Sequence, residues 1–112
     1  MALDLLTRRP IRLQRERTAG WQLPDNAVFV GQGTKWKNPL KKRDVVALLS
    51  EPDIAEAYKT RGWQAAANIA YRDYLVEEGL DVTELRGKDL VCICGPDEPC
   101  HADVLLELAN QQ

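Results

Sequence analysis

Two short apolar runs along the chain predict buried β-strands. Residues 27–30 form the first run, which Gly31 closes, and residues 89–94 form the second, after a turn at residues 85–88. Both are rich in the apolar and β-branched side chains that buried strands favour. Apolar and polar residues alternate over residues 11–13, and this alternation predicts a third, shorter strand.

Helices are predicted between the strands. Residues 43–49 and 53–60 are expected to form two short helices, with Asp53 as the cap of the second. In residues 63–78 the larger apolar side chains recur on one helical face, which predicts a longer amphipathic helix. The boundaries follow from residues that interrupt helices, namely Pro52, Gly62 and Gly79.

The last predicted helix starts near Pro99 and has one apolar face, formed by His101, Val104, Leu105 and Leu108. Strands interspersed with helices are typical of a small α/β layer. We therefore predict a single α/β domain with a short, at least partly parallel sheet packed by helices. The domain is expected to span residues 11–112, preceded by a flexible segment at residues 1–10.

Composition and length favour one compact domain without a membrane anchor. The 112 residues are 45% apolar and 29% charged. No apolar run approaches the roughly 18 residues needed to span a bilayer, and the N-terminus lacks the pattern of a secretion signal. We expect a cytoplasmic protein with no membrane partner.

The net charge of −2 conceals an asymmetry along the chain. Residues 1–43 hold ten basic and three acidic residues, a charge of +7, whereas residues 44–112 hold five basic and fourteen acidic residues, a charge of −9. Such a split suggests an anionic partner for the N-terminal half.

The strongest candidate site combines the three cysteines with the single histidine. Cys92 and Cys94 alternate on the predicted strand, so their side chains can face the same way, and a short loop leads to Cys100 and His101. Three thiolates and an imidazole form a complete tetrahedral set that favours zinc over calcium or magnesium. Because adjacent helical residues diverge by about 100°, Cys100 and His101 converge on one ion only if Cys100 lies before or at the helix cap.

Two other interpretations of this cluster stay open. Cysteine is among the most buried residue types, so the thiols can simply fill the core, with His101 as a hydrogen-bonded core histidine. Alternatively, Cys100 is a reactive thiol, because a helix N-terminus and a neighbouring imidazolium lower the pKa of a thiol. Cys100 and His101 would then act as nucleophile and general acid or base.

A second candidate site is the glycine-containing loop at residues 31–39. Its candidate ligand-binding residues are Gly31, Gly33, Thr34, Lys35, Trp36 and Asn38. Glycines let a backbone approach a ligand, exposed amides can bind phosphate oxygens, and Trp36 could stack on a base. The loop matches neither G-x-x-x-x-G-K-[ST] nor G-x-G-x-x-G, and the alternative is a tight turn in which Trp36 anchors the domain.

Arg15 and Arg17 are candidates for the same ligand. Guanidinium groups bind phosphate or carboxylate through paired hydrogen bonds, which suits an anionic small molecule. The alternative is a solvated basic edge strand.

Three blocks of sequence, taken in order, resemble a known family. They read Arg15-x-Arg17-x2-Gly20-Trp21-x2-Pro24, then Val28-x-Val30-x3-Thr34-x-Trp36-x-Asn38-Pro39, then Leu85-Arg86-Gly87-Lys88-x-Leu90-x-Cys92-x-Cys94-x5-Cys100-His101-x-Asp103-x-Leu105. Over about residues 11–110 the chain resembles the family of domain of unknown function 4326, small proteins of bacteria and their phages. The resemblance implies an intracellular protein and the grouping of these residues, and it implies no reaction.

The chain departs from the family pattern in the second block. That block usually reads W-G-N-P after a turn with an arginine, whereas here Lys37 replaces the glycine and Gln32 stands near the arginine position. If that arginine holds an anion in the family, this chain must hold it differently.

Three classes of function follow from these residues. The first is binding of a nucleotide-like or other phosphorylated small molecule near the Cys/His cluster, because ligands gather at the carboxyl ends of strands in α/β sheets. The second is a non-enzymatic module, such as a phage effector that binds a host protein, with a structural zinc at the cysteines. The third is nucleic-acid binding with Trp21 and Trp36 as stacking platforms, which an acidic chain favours least.

Overall fold

The last strand of the chain lies in the centre of the sheet. The computed structural model describes residues 9–16, 18–95 and 97–111. Strands β1 (Arg12–Gln14), β2 (Ala27–Phe29) and β3 (Asp89–Cys92) pair in the order β1-β3-β2, and both pairings are parallel. All four residues of β3 are buried, as expected for a strand covered on both faces. The predicted α/β class with a parallel sheet is confirmed.

Four helices and one short 3₁₀ turn complete the described part of the chain. The helices are α1 (Lys42–Val46), α2 (Pro52–Arg61), α3 (Trp63–Glu77) and α4 (His101–Ala109), and the 3₁₀ turn spans Val82–Leu85. No helix among the described residues is long and apolar enough to cross a bilayer. The flexible segment predicted for residues 1–10 falls mostly on residues 1–8, which lie outside the described residues.

Several predicted boundaries are wrong, each for a local reason. Strand β3 ends at Cys92 and not at residue 94, because both neighbouring strands end at that level. Helix α2 begins at Pro52, with Glu51 and not Asp53 as its N-cap, since proline fits the first helical position. Helix α1 ends at Val46, and the chain continues in tighter turns, each closed by a hydrogen bond across three residues.

Helix α3 joins two hydrophobic clusters. Tyr71 and Leu75 pack against the sheet and α4 in the main core, which also includes Val30, Trp36, Leu85, Leu90 and Leu105. Its alanines, Ala66, Ala67 and Ala70, pack with Val45, Ile54 and Ala57 of α1 and α2 in a second cluster. Small side chains allow α1 and α2 to lie close to α3, so α3 forms the framework between the helical layer and the sheet.

A buried hydrogen bond ties the loop after β2 to α3. The hydroxyl of Tyr71 donates to the main-chain oxygen of Trp36, and both side chains are buried. Because this carbonyl has no access to water, the tyrosine hydroxyl satisfies a group that would otherwise be costly to bury.

We predict that Tyr71→Phe destabilises the protein by about 1–3 kcal/mol, the cost of leaving a buried carbonyl without a donor. Urea unfolding would measure this change in the free energy of unfolding. The matched control is Tyr58→Phe, at a half-buried position on α2, which should change stability by less than about 0.5 kcal/mol. Equal effects of the two substitutions would contradict the assignment.

Candidate metal centre

Three cysteine sulfurs meet at the carboxyl end of β3. Cys92 is the last residue of the strand, Cys94 lies in the bend that follows, and Cys100 is the N-cap of α4. Their sulfur atoms all lie within 4.8 Å of one another, and the Cys92 and Cys94 sulfurs are 3.6 Å apart. In a tetrahedral site with Zn–S bonds of about 2.3 Å, sulfurs lie about 3.8 Å apart. The three cysteines could therefore hold a metal ion.

His101 lies beside this group but is not one of its members. Its Nε2 is 2.6 Å from the main-chain oxygen of Val30, and because a carbonyl only accepts, Nε2 is the nitrogen that carries the proton. In the neutral ring Nδ1 is then an acceptor, and it lies 3.9 Å from the Cys100 sulfur. The edge of the ring also contacts Tyr71, with centroids 5.4 Å apart.

The predicted four-ligand set thus divides into three close thiols and one neighbouring imidazole. Cys100 and His101 can converge on one ion only if Cys100 lies before or at the helix cap. Cys100 is the N-cap of α4, so this requirement is met. The contacts of His101 also suit a hydrogen-bonded core histidine, so its role as a metal ligand stays a prediction.

Hydrogen bonding and burial separate the pKa values of the three thiols. The pKa of Cys100 lies below the usual thiol value, chiefly because the Cys92 thiol stabilises its thiolate as a hydrogen-bond donor and also because the backbone amide of Ala102 lies nearby. The same bond to Cys100, followed by burial, raises the pKa of Cys92 well above its usual range. Burial is the main cause of the raised pKa of Cys94. In the metal-free cluster the negative charge therefore forms first on Cys100.

Arg12 of β1 holds the loop between the second and third cysteines. Its guanidinium is 13% exposed and lies 3.3 Å from the carboxylate of Asp103. It donates hydrogen bonds to the main-chain oxygens of Glu98, at 3.0 Å, and Gly95, at 3.2 Å, and it also contacts Cys100. The fixed fork of guanidinium donors can make such contacts at once, so Arg12 positions the loop that carries Cys100.

Sequence reasoning missed Arg12 as a functional residue. The available signal was a long basic side chain between the apolar residues Ile11 and Leu13 of the predicted first strand. The pattern does not show that β1 pairs with β3. This pairing places Arg12 opposite Leu90 and close to the cysteine loop.

A cavity of about 290 Å³ opens beside the three sulfurs. The loop after β2 forms one wall, the first turns of α3 form the second, and residues 92–94 with residues 99–101 form the third. Its polar lining beyond this third wall consists of Lys37 and the side-chain amides of Gln32, Asn38, Gln64 and Asn68. No carboxylate belongs to the described lining residues, so the cavity offers an anion one ammonium group and no acidic neighbour.

Two of the predicted loop residues reach this cavity. Gly31 and Asn38 both line it, and the Asn38 side chain accepts the backbone N–H of Leu40 at 3.0 Å. A Cβ at Gly31 would lie 2.7 Å from the ring of Phe29, so a side chain there would displace that ring. Gly33 turns the loop at a φ of 89° but does not line the cavity.

The remaining predicted loop residues make contacts within the fold. Thr34 donates a hydrogen bond to the main-chain oxygen of Gly31 at 2.8 Å. Lys35 pairs with Glu84 at 3.0 Å and lies over the ring of Trp36 at 4.9 Å. Trp36 is 4% exposed and belongs to the main core. Its indole is therefore not free to stack on a base, and its role as an anchor of the domain is the one that the structure supports.

Of the two predicted arginines, Arg15 does not line the cavity. The guanidinium of Arg15 lies 5.9 Å from the ring of Trp21 and 5.7 Å from that of Phe29, on a separate surface hollow that includes Ile93. Arg17 lies outside the described residues. The cysteine block and the glycine loop therefore meet at one cavity, while Arg15 faces elsewhere.

We predict that the three thiols of the metal-free protein titrate separately. The thiolate of Cys100 should form at lower pH than that of an ordinary thiol, and those of Cys92 and Cys94 at higher pH. Ultraviolet thiolate absorbance across pH would measure this. Because the pKa of Cys100 is lower in the folded than in the unfolded chain, its ionisation stabilises the fold above the unfolded value. That contribution is lost as the pH falls through the folded value.

Cys100→Ser should remove the early step and move the step of Cys92 toward the ordinary thiol pKa, because its raised pKa depends chiefly on the hydrogen bond to the Cys100 sulfur. Three thiols that titrate together near the usual pKa would show that the hydrogen bonds within the cluster do not favour a thiolate on Cys100.

One family is shown by comparison with known proteins. The model of the family described as Domain of unknown function (DUF4326) matches residues 13–111, a range that includes all three cysteines and the loop after β2. No curated protein and no solved structure matches the chain. Because the family model covers most of the chain, this protein belongs to the DUF4326 family.

Proposed function

We propose that this protein binds Zn²⁺ through Cys92, Cys94 and Cys100, next to a pocket for a small, nucleotide-like or otherwise phosphorylated ligand. The observation that carries the proposal is that the three close sulfurs line the same cavity as the glycine loop. Thiolates are soft ligands that favour zinc, copper(I) or iron–sulfur clusters over magnesium and calcium. Zinc is the simplest occupant of such a site, since it needs neither a redox change nor added sulfide.

Three protein ligands leave one tetrahedral position for a fourth donor. Zinc sites that keep such a position bind water or substrate there, and the ion then acts as a Lewis acid. The cavity provides space for a donor that does not come from the protein. His101 is the competing fourth donor, because its Nδ1 lies 3.9 Å from the Cys100 sulfur. The identity of the fourth donor thus separates an open site from a closed structural one.

The charges around the cavity favour a ligand with one anionic group. Lys37 supplies the ammonium group of the lining, while Lys35 is paired with Glu84 and Arg15 lies against aromatic rings. Side-chain amides and the indole of Trp63 form much of the remaining wall, which suits a polar ring with hydrogen-bonding edges. Ligand pockets commonly span about 300–1,000 Å³, and this cavity, at about 290 Å³, is at the small end of that range. It therefore suits a small ligand such as a sugar phosphate or a nucleoside monophosphate.

A structural zinc in a non-enzymatic interaction module is the second candidate. Cys92 and Cys100 are 3% and 2% exposed and belong to the main core, so an ion between them would join the end of β3 to the start of α4. In that case zinc would stabilise the fold, the cavity would take no phosphorylated ligand, and the partner would be a protein, such as a host protein bound by a phage effector.

We predict that the purified protein binds one equivalent of Zn²⁺ and that Cys94→Ser weakens this binding by about 100-fold or more. The loss of a direct ligand should exceed the 10–100-fold effect of losing an outer-shell partner. Competition with a zinc-sensitive chelator dye would measure the affinity. The matched control is Ile93→Ala, a half-exposed neighbour without a ligand atom, which should leave the affinity unchanged. Binding of less than about a tenth of an equivalent would contradict the metal site, because structural zinc binds tightly.

We predict that Lys37→Met weakens binding of the phosphorylated ligand about tenfold, equivalent to about 1.4 kcal/mol. The probes are nucleoside monophosphates and sugar phosphates added to the zinc-loaded protein in thermal unfolding experiments. A ligand present at 100 times its dissociation constant should stabilise the fold by about 2.7 kcal/mol. Lys35→Met, two residues away but paired outside the cavity, should keep the wild-type affinity. Stabilisation by zinc but by none of these probes would favour the structural alternative.

A further inference from the structure

The cysteine cluster is also arranged for thiol oxidation. We propose that, in the metal-free protein, peroxide joins Cys94 and Cys100 in an intramolecular disulfide, so that the cluster holds either a metal ion or this disulfide. The two sulfurs lie within 4.8 Å of each other, whereas a disulfide bond is about 2.05 Å long. A movement of less than about 3 Å is therefore enough to bring the sulfurs to bonding distance.

Cys100 borders two openings of the surface. It lines the cavity beside the glycine loop and also a wider groove of about 790 Å³ between α3 and α4. The side chain is 2% exposed, so hydrogen peroxide, which is comparable in size to water, reaches the sulfur after a small local opening of either wall. The guanidinium of Arg12 and the backbone amide of Ala102 are both close to this sulfur.

Cys94 is the partner that can move. It lies in the bend after β3, outside the sheet, and is half-buried. Cys92, by contrast, is the last residue of the central strand, and its main-chain oxygen accepts a hydrogen bond from Arg15 at 2.8 Å. The sulfurs of Cys92 and Cys94 are 3.6 Å apart, but a disulfide from Cys92 to either other cysteine would have to pull at this strand end. A disulfide between Cys94 and Cys100 needs only the bend and the helix cap to shift.

The oxidation proceeds in two balanced steps with hydrogen peroxide as the oxidant. The Cys100 thiolate attacks one peroxide oxygen, the O–O bond breaks, hydroxide leaves, and Cys100 becomes a sulfenic acid. The sulfur of Cys94 then attacks the Cys100 sulfur, the S–S bond forms, and the S–O bond breaks. The departing hydroxide takes the Cys94 thiol proton as water. In total, two thiols are oxidised to one disulfide and one peroxide is reduced to two waters.

Metal and disulfide exclude each other, because a metal ligand must be a thiolate. Bound Zn²⁺ should therefore protect the cluster from peroxide, and the oxidised protein should not take up zinc. This inference uses the same cysteines as the proposed function but does not depend on it, since the disulfide forms in protein that contains no metal.

The test treats the reduced, metal-free protein with one equivalent of hydrogen peroxide. We expect the number of free thiols to fall from three to one, with monomeric protein, and peptide mapping to identify a Cys94–Cys100 link. Dithiothreitol should restore all three thiols. A count that stays at three, a link that includes Cys92, or disulfide-linked dimers as the only product would overturn the inference.

Two variants sharpen the assignment. Cys92→Ser should still form the disulfide, whereas Cys94→Ser should stop at a sulfenic acid that a dimedone probe labels on Cys100. Peptide mapping of the wild-type protein decides the question without either variant if one of them does not fold. A disulfide in protein that binds no zinc would refute the metal site alone, and zinc binding without disulfide formation would refute this inference alone.

Discussion

Strand β3 is hydrogen-bonded along both edges, and the place where this ladder stops determines the position of the site. The amide of Val30 bonds to the main-chain oxygen of Val91 at 2.9 Å on one side, and the amide of Arg15 bonds to that of Cys92 at 2.8 Å on the other. Because all three strands are parallel, the chain leaves each of them at the same edge of the sheet. This constraint brings the glycine loop and the cysteine segment to one cavity.

Charge within the site comes from two directions. Arg12 reaches from β1 to the loop between Cys94 and Cys100, while Cys100 is the N-cap of α4 and its sulfur lies near the backbone amide of Ala102. Both favour a thiolate, which is the form that binds metal and attacks peroxide. The same electrostatics would therefore support both the proposed metal binding and the proposed oxidation, and a bound metal ion would prevent the disulfide.

Much of the fold could be predicted from the sequence because its signals are local. The buried runs at residues 27–30 and 89–94 and the breaks at Gly62 and Gly79 each depend on near neighbours, and the strands and helices lie close to where these signals place them. The end of β3 at Cys92 could not be predicted, because it depends on where β1 and β2 stop. The grouping of the three cysteines was predictable from their spacing.

What the sequence could not supply is the set of contacts between distant segments. Trp36 has an aromatic side chain that could stack on a base. Its indole is buried in the core, however, and its main-chain oxygen accepts the hydrogen bond from Tyr71. The sequence suggests that Arg15 binds the same ligand as the glycine loop, but its guanidinium lies against the rings of Trp21 and Phe29. Arg12, which no motif marks, reaches the cysteine loop from across the sheet.

The most direct test of the central claim, a three-cysteine zinc site with an open fourth position, is X-ray absorption spectroscopy at the zinc edge of the loaded protein. Three sulfur neighbours are expected at about 2.3 Å, with one light neighbour at about 2.0–2.2 Å that lacks the imidazole signature His101 would give. A phosphorylated ligand that binds the ion should change the signal of the lighter neighbour alone. A zinc ion surrounded only by nitrogen and oxygen, or by four sulfurs, would contradict the account.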